Sequence, residues 1–406
     1  MNYVAEVSAD LEDLDLTDSP FSDFLGFELL LEDRDRELLS SVRAHMTRVV
    51  EPVINEHWTR ATFPHDLVPG LAELGIAGLA YDGPGCPARG ALVDGMVAME
   101  LGRVDPSIAT FMGVHGGLAM GSIHLCGSEE QKERWLPAMA RMELIGAFGL
   151  TEPDTGSAIA GGLATSAKRD GDGWVLNGEK KWIGNADFAD LVIIWARDED
   201  DGEVKGFVVE KDTPGMTFDV QQDKIALRVV QNSEIHLADV HVPEENRLQE
   251  GNGFHDTAQV LKVTRMGVAW QAVGCARGAY EHALRYTKAR EQFGKPIASF
   301  QMVQDLLVKM LSNVTAATAM NVRASQLQDA GLLKDEHASL CKVHATVRMR
   351  ETVGWAREVL GGNGILLEHH VGRFVADAEA IYSYEGTREM NTLIVGRAIT
   401  GESAFV

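Results

Sequence analysis

The sequence has few of the residues that form disulfides, bind metals or attract polyanions. Its four cysteines, Cys86, Cys126, Cys275 and Cys341, are far apart and form no CxxC pair, so we expect neither disulfides nor structural zinc. The 13 histidines show no metal-ligand spacing, and we predict no metal site. Lysines and arginines number 37 against 60 aspartates and glutamates, a net charge of −23. This excess of acid argues against nucleic acid and anionic membranes as partners.

Targeting signals and long apolar runs are also missing. The N-terminal stretch MNYVAEVSADLEDLDLTDSP is acidic and lacks the basic and apolar parts of a signal peptide. No uncharged apolar run approaches the ~20 residues of a membrane span. The C-terminal GESAFV is not a peroxisomal signal. We therefore predict a cytoplasmic protein that does not enter a membrane.

The common nucleotide-loop and metalloprotease motifs are absent as well. The sequence contains no GxGxxG after a predicted strand, no GxxxxGK[ST] and no HExxH. GGNG at 361–364 follows a predicted helix, so a helix C-cap explains it more simply than a phosphate loop does. Any chemistry in this chain therefore does not use a Rossmann loop.

Length and hydrophobic periodicity predict a mainly α protein with a central β domain. The 406 residues are too many for one small core. Apolar residues at three- and four-residue spacing predict helices on both sides of a stretch of short β-branched runs. We predict an acidic leader at 1–27, an N-terminal helical domain at 28–144, an antiparallel β domain at 145–250 and a C-terminal four-helix bundle at 251–406.

Local signals predict where several elements begin and end. Pro52 lies near the expected end of the first helix, whereas Pro106 predicts the first turn of another. Ser128, with Gln131 three residues later, predicts a capping box. NG at 177–178 predicts a hairpin turn.

Four short motifs attract attention, and each has an ordinary structural explanation. TEPDTGS at 151–157 suits a turn, with a loop that holds a flavin or a phosphate as the functional alternative. WIGN at 182–185 suits a buried core tryptophan, with stacking of Trp182 on a flat ring as the alternative. REQFGKP at 290–296 suits a helix C-terminus. YEGT at 384–387 places Glu385 before a predicted helix, where an acid stabilises the helix dipole. The functional alternative is that aromatic rings desolvate this carboxylate, raise its pKa and make it a better base. Periodicity alone favours the helix-dipole explanation.

Taken in order and at these spacings, TEPDTGS, WIGN, REQFGKP, LGGNG and YEGT resemble the acyl-CoA dehydrogenase family. The match runs from about residue 33 to the C-terminus. LGGNGI and YEGTREMNTLIVGRAITG are most similar to the glutaryl-CoA dehydrogenase branch, whereas WIGN, KIALRVVQN and VAWQ resemble plant short-chain acyl-CoA oxidases. The resemblance implies the acyl-CoA dehydrogenase fold, an acyl-CoA substrate, FAD as cofactor, an electron-transfer flavoprotein as electron acceptor and a homotetramer.

The resemblance also implies a role for each matching residue. Glu385 would remove the α-proton of the thioester while the β-hydride passes to flavin N5. Some members place this base at the position of Thr264 instead. The backbone amide of Glu385 and a ribityl hydroxyl of FAD would bind the thioester oxygen.

Further residues carry over to the two ligands. Four of the implied FAD contacts, Arg290, Phe293, Gly361 and Gly362, would come from a neighbouring subunit. The implied FAD-binding residues are Phe148, Leu150, Thr151, Ser157, Trp182, Gly184, Arg290, Phe293, Gly361, Gly362, Thr387 and Glu389. The implied substrate-binding residues are Ser157, Arg265, Tyr384 and Gly386. We also expect Phe111, Met112 and Tyr384 to line the acyl pocket.

Three departures from the family pattern limit the assignment. Glutaryl-specific members pair the distal carboxylate of the substrate with an arginine, but the matching position reads Ala109 and a nearby serine position reads Gly113. Because an unpaired buried carboxylate costs several kcal/mol, we predict an uncharged acyl group and no decarboxylation. Gly184 replaces a threonine near flavin N5, and Ala158 follows Ser157. An acyl-CoA oxidase that forms H2O2, or a non-catalytic flavoprotein with this fold, remains the alternative.

Overall fold

A computed structural model describes residues 23–404 of the protein. Most of the predicted acidic leader, residues 1–22, lies outside the described residues. Asp23 opens the described part, and its carboxylate accepts hydrogen bonds from the backbone N–H groups of Phe27 and Glu28 at 2.8 Å each. Regular contacts therefore begin a few residues before the predicted end of the leader.

The N-terminal region is helical, as predicted. A π-helical turn at Met46–Val50 joins the first two helices, so the helix does not end near Pro52. Pro52 lies in the first turn of the second helix, a position that tolerates proline. The helices are α1 (Asp33–His45), α2 (Glu51–Arg60), α3 (Val68–Glu73), α4 (Ala91–Val104), α5 (Pro106–Met112), α6 (Met120–Cys126) and α7 (Glu129–Ala140).

Two predicted helix starts are confirmed. Pro106 is the first residue of α5, and the side chain of Asp105 accepts a hydrogen bond from the N–H of Ile108 at 2.9 Å. Ser128 caps α7 in a capping box with Gln131. Side-chain acceptors satisfy the unpaired N–H groups of these first turns.

The central domain is one mixed sheet with its own apolar core. Its strands are β1 (Gly146–Gly149), β2 (Ser166–Asp170), β3 (Gly173–Gly184), β4 (Leu191–Asp198), β5 (Val204–Glu210), β6 (Met216–Val220) and β7 (Asn232–Pro243). The strand order is β1-β4-β2-β3-β7-β6, with β5 beside β4. Most pairs are antiparallel as predicted, but β1 and β2 each pair with β4 in parallel. A crossover with a short helix, α8 (Ile159–Gly162), separates β1 from β2 and allows this pairing.

The hairpin predicted at 177–178 is wrong. Asn177 and Gly178 lie inside β3, at a β-bulge where the register against β7 shifts. The Asn177 side chain exchanges hydrogen bonds with Asp239 at 2.8 and 3.1 Å. Gly178 has φ +145°, and a Cβ there would lie 2.7 Å from the Thr165 Cα. This glycine therefore permits a bulge rather than a turn.

The C-terminal region is a helical bundle followed by one further helix. Its helices are α9 (Phe254–Ala289), α10 (Gln301–Asp329), α11 (Asp335–Val359), α12 (Val371–Ser383) and α13 (Arg388–Thr400), and a two-stranded hairpin, β8 (Glu291–Gln292) and β9 (Lys295–Pro296), follows α9. No helix within residues 23–404 is long and apolar enough to cross a membrane.

Glycines bring α4 and α9 into backbone contact. A Cβ at Gly274 would lie 2.2 Å from the Met99 carbonyl oxygen, and one at Gly278 would lie 2.1 Å from that of Arg103. Any side chain at these two positions would push the helices apart. This close approach sets the spacing of the helices that border the candidate site.

A fully buried ion pair between Arg373 and Asp105 joins the two helical regions. The Arg373 guanidinium on α12 contacts the Asp105 carboxylate, which also caps α5, and both side chains are fully buried. Arg373 also donates to the Val104 carbonyl at 3.0 Å and to the Asn55 side chain at 3.1 Å. The buried guanidinium therefore depends on acceptors from the N-terminal region.

We expect Asp105→Ala to lower the free energy of unfolding by about 3–5 kcal/mol, because it leaves a buried charge unpaired. Urea denaturation followed by circular dichroism measures this change. The control is Glu56→Ala, which removes an exposed pair with Arg60 and should change stability by less than ~1 kcal/mol. Equal losses in the two variants would contradict this role of the buried pair.

Candidate active site

Glu385 lies in a short left-handed segment between two helices. α12 ends at Ser383, and α13 begins at Arg388 with Thr387 as its N-cap. Glu385 has φ +54° and Gly386 has φ +82°, conformations that disfavour residues with a Cβ. Glu385 thus precedes the N-cap, and its side chain lines a cavity. The structure does not support the ordinary explanation of this acid as a helix-dipole charge.

A buried lysine holds this segment in place. Lys342 on α11 donates from Nζ to the carbonyl oxygens of Tyr384 at 2.6 Å and Tyr382 at 3.3 Å, and also to that of Gly386. Asn391 adds a hydrogen bond to the Gly386 carbonyl at 2.8 Å. The sequence analysis missed Lys342; its only signal was a lysine at the spacing of the buried positions of α11.

The electrostatic surroundings of Glu385 favour a base with a raised pKa. Burial raises the pKa of Glu385, while the charges of Arg265 and Lys342 and a hydrogen bond from Thr264 oppose this rise. The Thr264 hydroxyl lies 3.4 Å from the Glu385 carboxylate. Burial also lowers the pKa of Lys342 to about 8. Thr264 and Glu385, the two positions that the resemblance gives for the base, therefore lie next to each other.

The cavity beside Glu385 has a volume of about 110 Å³ and a mainly apolar wall. Met112 and Tyr384 line it as expected, whereas Phe111 does not. The Phe111 ring instead packs 4.8 Å from the ring of Phe63. Apolar or small lining residues include Val97, Leu101, Ala109, Gly113, Val263 and Val268.

Polar groups along the cavity bind one another. The Tyr384 hydroxyl donates to Gln271, and Gln271 Nε2 donates to the Ala109 carbonyl at 2.7 Å. Tyr384, Gln271 and Ala109 all line the cavity. These hydrogen bonds fix the ring of Tyr384 next to Glu385.

The TEPDTGS segment is held by the strands beneath it. The Thr151 carbonyl accepts a hydrogen bond from the N–H of Lys181 at 2.8 Å. The Glu152 carboxylate accepts from Lys180 Nζ at 2.9 Å and from the N–H of Thr165 at 2.8 Å. Lys180 is fully buried, and burial lowers its pKa to about 8. These hydrogen bonds fix the segment beside the strand that carries Trp182. An isolated turn would not need a buried ion pair of this kind.

Trp182 is exposed, so the interpretation of WIGN as a core tryptophan is wrong. Its side chain is 56% exposed, and its φ is +65°. Two residues later, a Cβ at Gly184 would lie 3.4 Å from Val114, a residue of the cavity wall. The left-handed bend turns the indole away from the core, beside the loop that begins at Thr151.

These features fit a flat, partly polar group such as a flavin. The side chains of Phe148 and Leu150 are buried, whereas Thr151 is half-buried. The backbone of 148–151 and the Thr151 side chain are therefore available to such a ligand. An exposed indole, Trp182, stands beside that backbone, and both adjoin the wall of the cavity that contains Glu385. The backbone N–H groups of 148–151 and the indole of Trp182 suit an isoalloxazine ring.

The other predicted site residues lie apart from this cavity. Ser157 and Glu389 are exposed, and Thr387 caps α13. Arg290 is the C-cap of α9, as the helix-terminus explanation of REQFGKP predicts. Arg265 is buried against Asp335 and Ser339. The predicted residues that do not line the cavity of their own chain include Ser157, Arg290, Phe293, Gly361, Gly362, Thr387 and Glu389.

One group of residues within 23–404 has the composition of a metal site. Ligand atoms of Glu51, His282 and His370 lie within 4.8 Å of one another. Burial and the charges of Arg285 and Arg373 lower the pKa of both histidines. The same positive charges repel a cation, so we assign no metal to this group.

Comparisons with known proteins identify the family of this chain. Family models of acyl-CoA dehydrogenases match three successive parts of the chain: the N-terminal domain at 32–143, the middle domain at 147–240 and the C-terminal domain at 251–400. These ranges correspond to the helical, β and helical regions of the fold.

Solved structures and a curated relative are similar over most of the chain. The crystal structure of glutaryl-CoA dehydrogenase from Mycobacterium smegmatis has a TM-score of 0.91 and 39% identity, covering 95% of this chain and 99% of that chain. A structure of a glutaryl-CoA dehydrogenase from the same organism in complex with FADH2 also has a TM-score of 0.91, with 35% identity and coverage of 96% and 100%. An acyl-CoA dehydrogenase from Bacillus subtilis (strain 168) is 34% identical over 344 residues, 84% of this chain and 90% of the relative. The chain therefore belongs to the acyl-CoA dehydrogenase family of oxidoreductases.

Proposed function

We propose that the protein is an FAD-dependent acyl-CoA dehydrogenase that forms a trans-2-enoyl-CoA, with Glu385 as the base. The observation that carries this proposal is the carboxylate of Glu385 at the wall of an apolar cavity, with its pKa raised by burial. A base with a raised pKa matches the weak acidity of a carbon acid more closely than an ordinary carboxylate does. The α-carbon of a bound thioester would lie against this carboxylate.

The backbone around Glu385 suits the charge that develops on the thioester. Within residues 23–404, no acceptor takes the N–H of Glu385. This N–H is therefore available to the thioester oxygen, where it would stabilise an enolate-like transition state. Lys342 fixes the carbonyls on both sides, so the donor is already oriented before substrate binds.

FAD is the cofactor of the proposed reaction, and when bound it accepts the hydride from the β-carbon. The backbone of 148–151 and the side chains of Thr151 and Trp182 would hold it at the cavity. A glutaryl-CoA dehydrogenase from M. smegmatis forms a complex with FADH2, which supports a flavin as the cofactor. The further contacts that we propose are Ser157, Gly184, Thr387 and Glu389, with Arg290, Phe293, Gly361 and Gly362 from a second copy.

The acyl group of the proposed substrate lacks a distal carboxylate. Ala109 and Gly113 line the cavity, as the sequence departures predict, and its wall contains no lysine or arginine. A dicarboxylic acyl group would therefore bury a charge without a partner. We propose dehydrogenation without decarboxylation. We also propose that Arg265 and Gly386 contact the CoA thioester.

A homotetramer and an electron-transfer flavoprotein complete the proposal. Phe293 is 93% exposed at the turn between β8 and β9, and Met302, Val308 and Ile365 are also exposed apolar side chains of the C-terminal region. Such side chains are typical of a surface that another subunit covers. The electron-transfer flavoprotein would accept electrons from the reduced protein in the cytoplasm.

An acyl-CoA oxidase is the second candidate, and one observation favours it. Gly184 has an ordinary negative φ, and a Cβ there would make only normal contacts, of 3.4 Å or more. The fold therefore does not require glycine at this position, and the missing side chain leaves room beside the proposed flavin site.

We expect Glu385→Gln to bind FAD and CoA normally while kcat falls by about 10²–10⁴-fold, because the amide cannot accept the α-proton. Anaerobic bleaching of the flavin by a panel of straight and branched acyl-CoAs measures the reaction. Glu368→Gln, at an exposed glutamate, is the matched control. Near-normal turnover in Glu385→Gln would remove the assigned base. No bleaching of the wild type by any acyl-CoA would favour a non-catalytic flavoprotein.

Lys342→Met should shift the acid limb of the kcat/KM–pH profile to higher pH. The Lys342 charge lowers the pKa of Glu385, so its loss raises that pKa, and activity falls off at a higher pH as the base becomes protonated. The lost hydrogen bonds should also reduce kcat. Lys309→Met, at an exposed lysine paired with Asp305, should leave the profile unchanged. A fall in kcat without any shift would mean that Lys342 acts only on the backbone.

The reaction with oxygen separates the dehydrogenase from the oxidase. We expect the wild type to form H2O2 much more slowly than it reduces an artificial electron acceptor, and Gly184→Thr to lower the H2O2 rate further by filling the space next to Val114. Coupled peroxidase and dye-reduction assays on one preparation give both rates. Stoichiometric H2O2 at the full turnover rate would identify an oxidase.

A further inference from the structure

We propose that Asp94 forms a second binding site within the acyl cavity and selects acyl-CoA substrates whose acyl group ends in an ammonium group. This inference rests on the proposed function and names the substrate class of the same site. It goes beyond the expectation of an uncharged acyl group, which was based on Ala109 and Gly113 alone.

Asp94 belongs to the cavity wall by its position on α4. Asp94, Val97 and Leu101 follow one another at three- and four-residue spacing, which places them on one face of the helix. All three line the cavity that also contains Glu385. The apolar wall thus ends in a carboxylate one or two helical turns from Val97 and Leu101.

The Asp94 carboxylate has no hydrogen-bond donor in the part of the chain that the structure describes, whereas other polar groups of the wall have their own partners. The Tyr81 hydroxyl donates to the Gly117 carbonyl at 2.7 Å. The Thr110 hydroxyl donates to the Pro106 carbonyl at 2.8 Å. A bound group with a donor would therefore meet Asp94 without displacing an existing hydrogen bond.

The charge at this part of the cavity is negative. Asp329 on α10 lies close enough to raise the pKa of Asp94, which burial and this second acid bring to about 6. The Asp329 carboxylate is already bound by the N–H groups of Ala91 and Leu92, at 2.6 and 3.4 Å. Asp94 is thus ionised at neutral pH with no cation on the cavity wall to offset it. An ammonium group would supply that cation.

The two carboxylates of the cavity face different partners. Glu385 is influenced by Arg265 and Lys342, and Asp94 by Asp329. Glu385 lies beside Thr264 on α9, at 3.4 Å, whereas Asp94 lies in the first turn of α4, whose Ala91 N–H binds Asp329. The two acids thus belong to different elements of the cavity wall. A substrate that spans the cavity would present its thioester to Glu385 and its distal group to Asp94. A distal carboxylate would be repelled there, and a plain alkyl end would leave Asp94 unpaired.

The test uses the FAD-loaded protein and matched sets of CoA thioesters. Each set comprises 6-aminohexanoyl-CoA or a shorter homologue, the alkanoyl-CoA in which methyl replaces the ammonium group, and the dicarboxylic thioester of the same length. We expect kcat/KM for the aminoacyl-CoA to exceed that for the alkanoyl-CoA by about 10- to 100-fold, the range for a hydrogen bond to a charged group. Asp94→Asn should reduce this ratio to about one, whereas Asp66→Asn, at an exposed aspartate, should preserve it.

The outcomes separate this inference from the proposed function. Flavin reduction by alkanoyl-CoA with no preference for the amino group would overturn the Asp94 site and keep the dehydrogenase. Equal changes for both substrates in Asp94→Asn would overturn it as well. Absence of flavin reduction by every thioester would remove the proposed function and this inference together. The wild-type ratio decides the matter even where the variant does not fold.

Discussion

The site depends on a carboxylate that is desolvated but kept close to two buried cations. Burial raises the pKa of Glu385 and so favours the protonated acid. The charges of Arg265 and Lys342 lower this pKa and so favour the carboxylate. A base that must take a proton from carbon needs both influences, because a fully protonated acid cannot accept and an ordinary carboxylate accepts weakly. The same Lys342 holds the carbonyls around Glu385, so the charge balance and the backbone geometry rest on one side chain.

The N-terminal helical region and the β domain contact each other beside the cavity of Glu385. This contact brings the loops at Thr151 and Trp182 next to the cavity wall. His115, in the π-helical turn Gly113–Ala119, accepts a hydrogen bond from the N–H of Gly146 at 3.0 Å. Asn185 donates to the Phe111 carbonyl at 3.3 Å. These bonds connect β1 and the end of β3 to the helical segment that contributes to the cavity wall.

Local sequence chemistry predicted much of this arrangement, and contacts between distant segments account for what it missed. The cap at Ser128 and the helix start at Pro106 depend only on neighbouring residues, and both were predicted. The local sequence NG at 177–178 predicts a hairpin turn. In the structure Asn177 instead binds Asp239 on another strand, a contact that the local sequence does not reveal. Trp182 is apolar enough for a core, but its positive φ turns it outward. Lys342 could not be found because its partners lie about forty residues further along the chain. Glu385 was found only through the ordered set of motifs.

Two acids on one cavity illustrate how surroundings, and not residue type, assign chemical roles. Glu385 interacts with the charges of Arg265 and Lys342, which lie outside the cavity wall, and within residues 23–404 its own N–H has no protein acceptor. Both features suit proton transfer. Asp94 has another acid beside it and no cation, which suits a ligand that brings its own positive charge. A cavity that needed to accept a second carboxylate would reverse this arrangement and place a cation where Ala109 and Asp94 lie. The absence of lysine and arginine from the wall, together with the presence of Asp94, is the physical reason for proposing a substrate other than a dicarboxylic thioester.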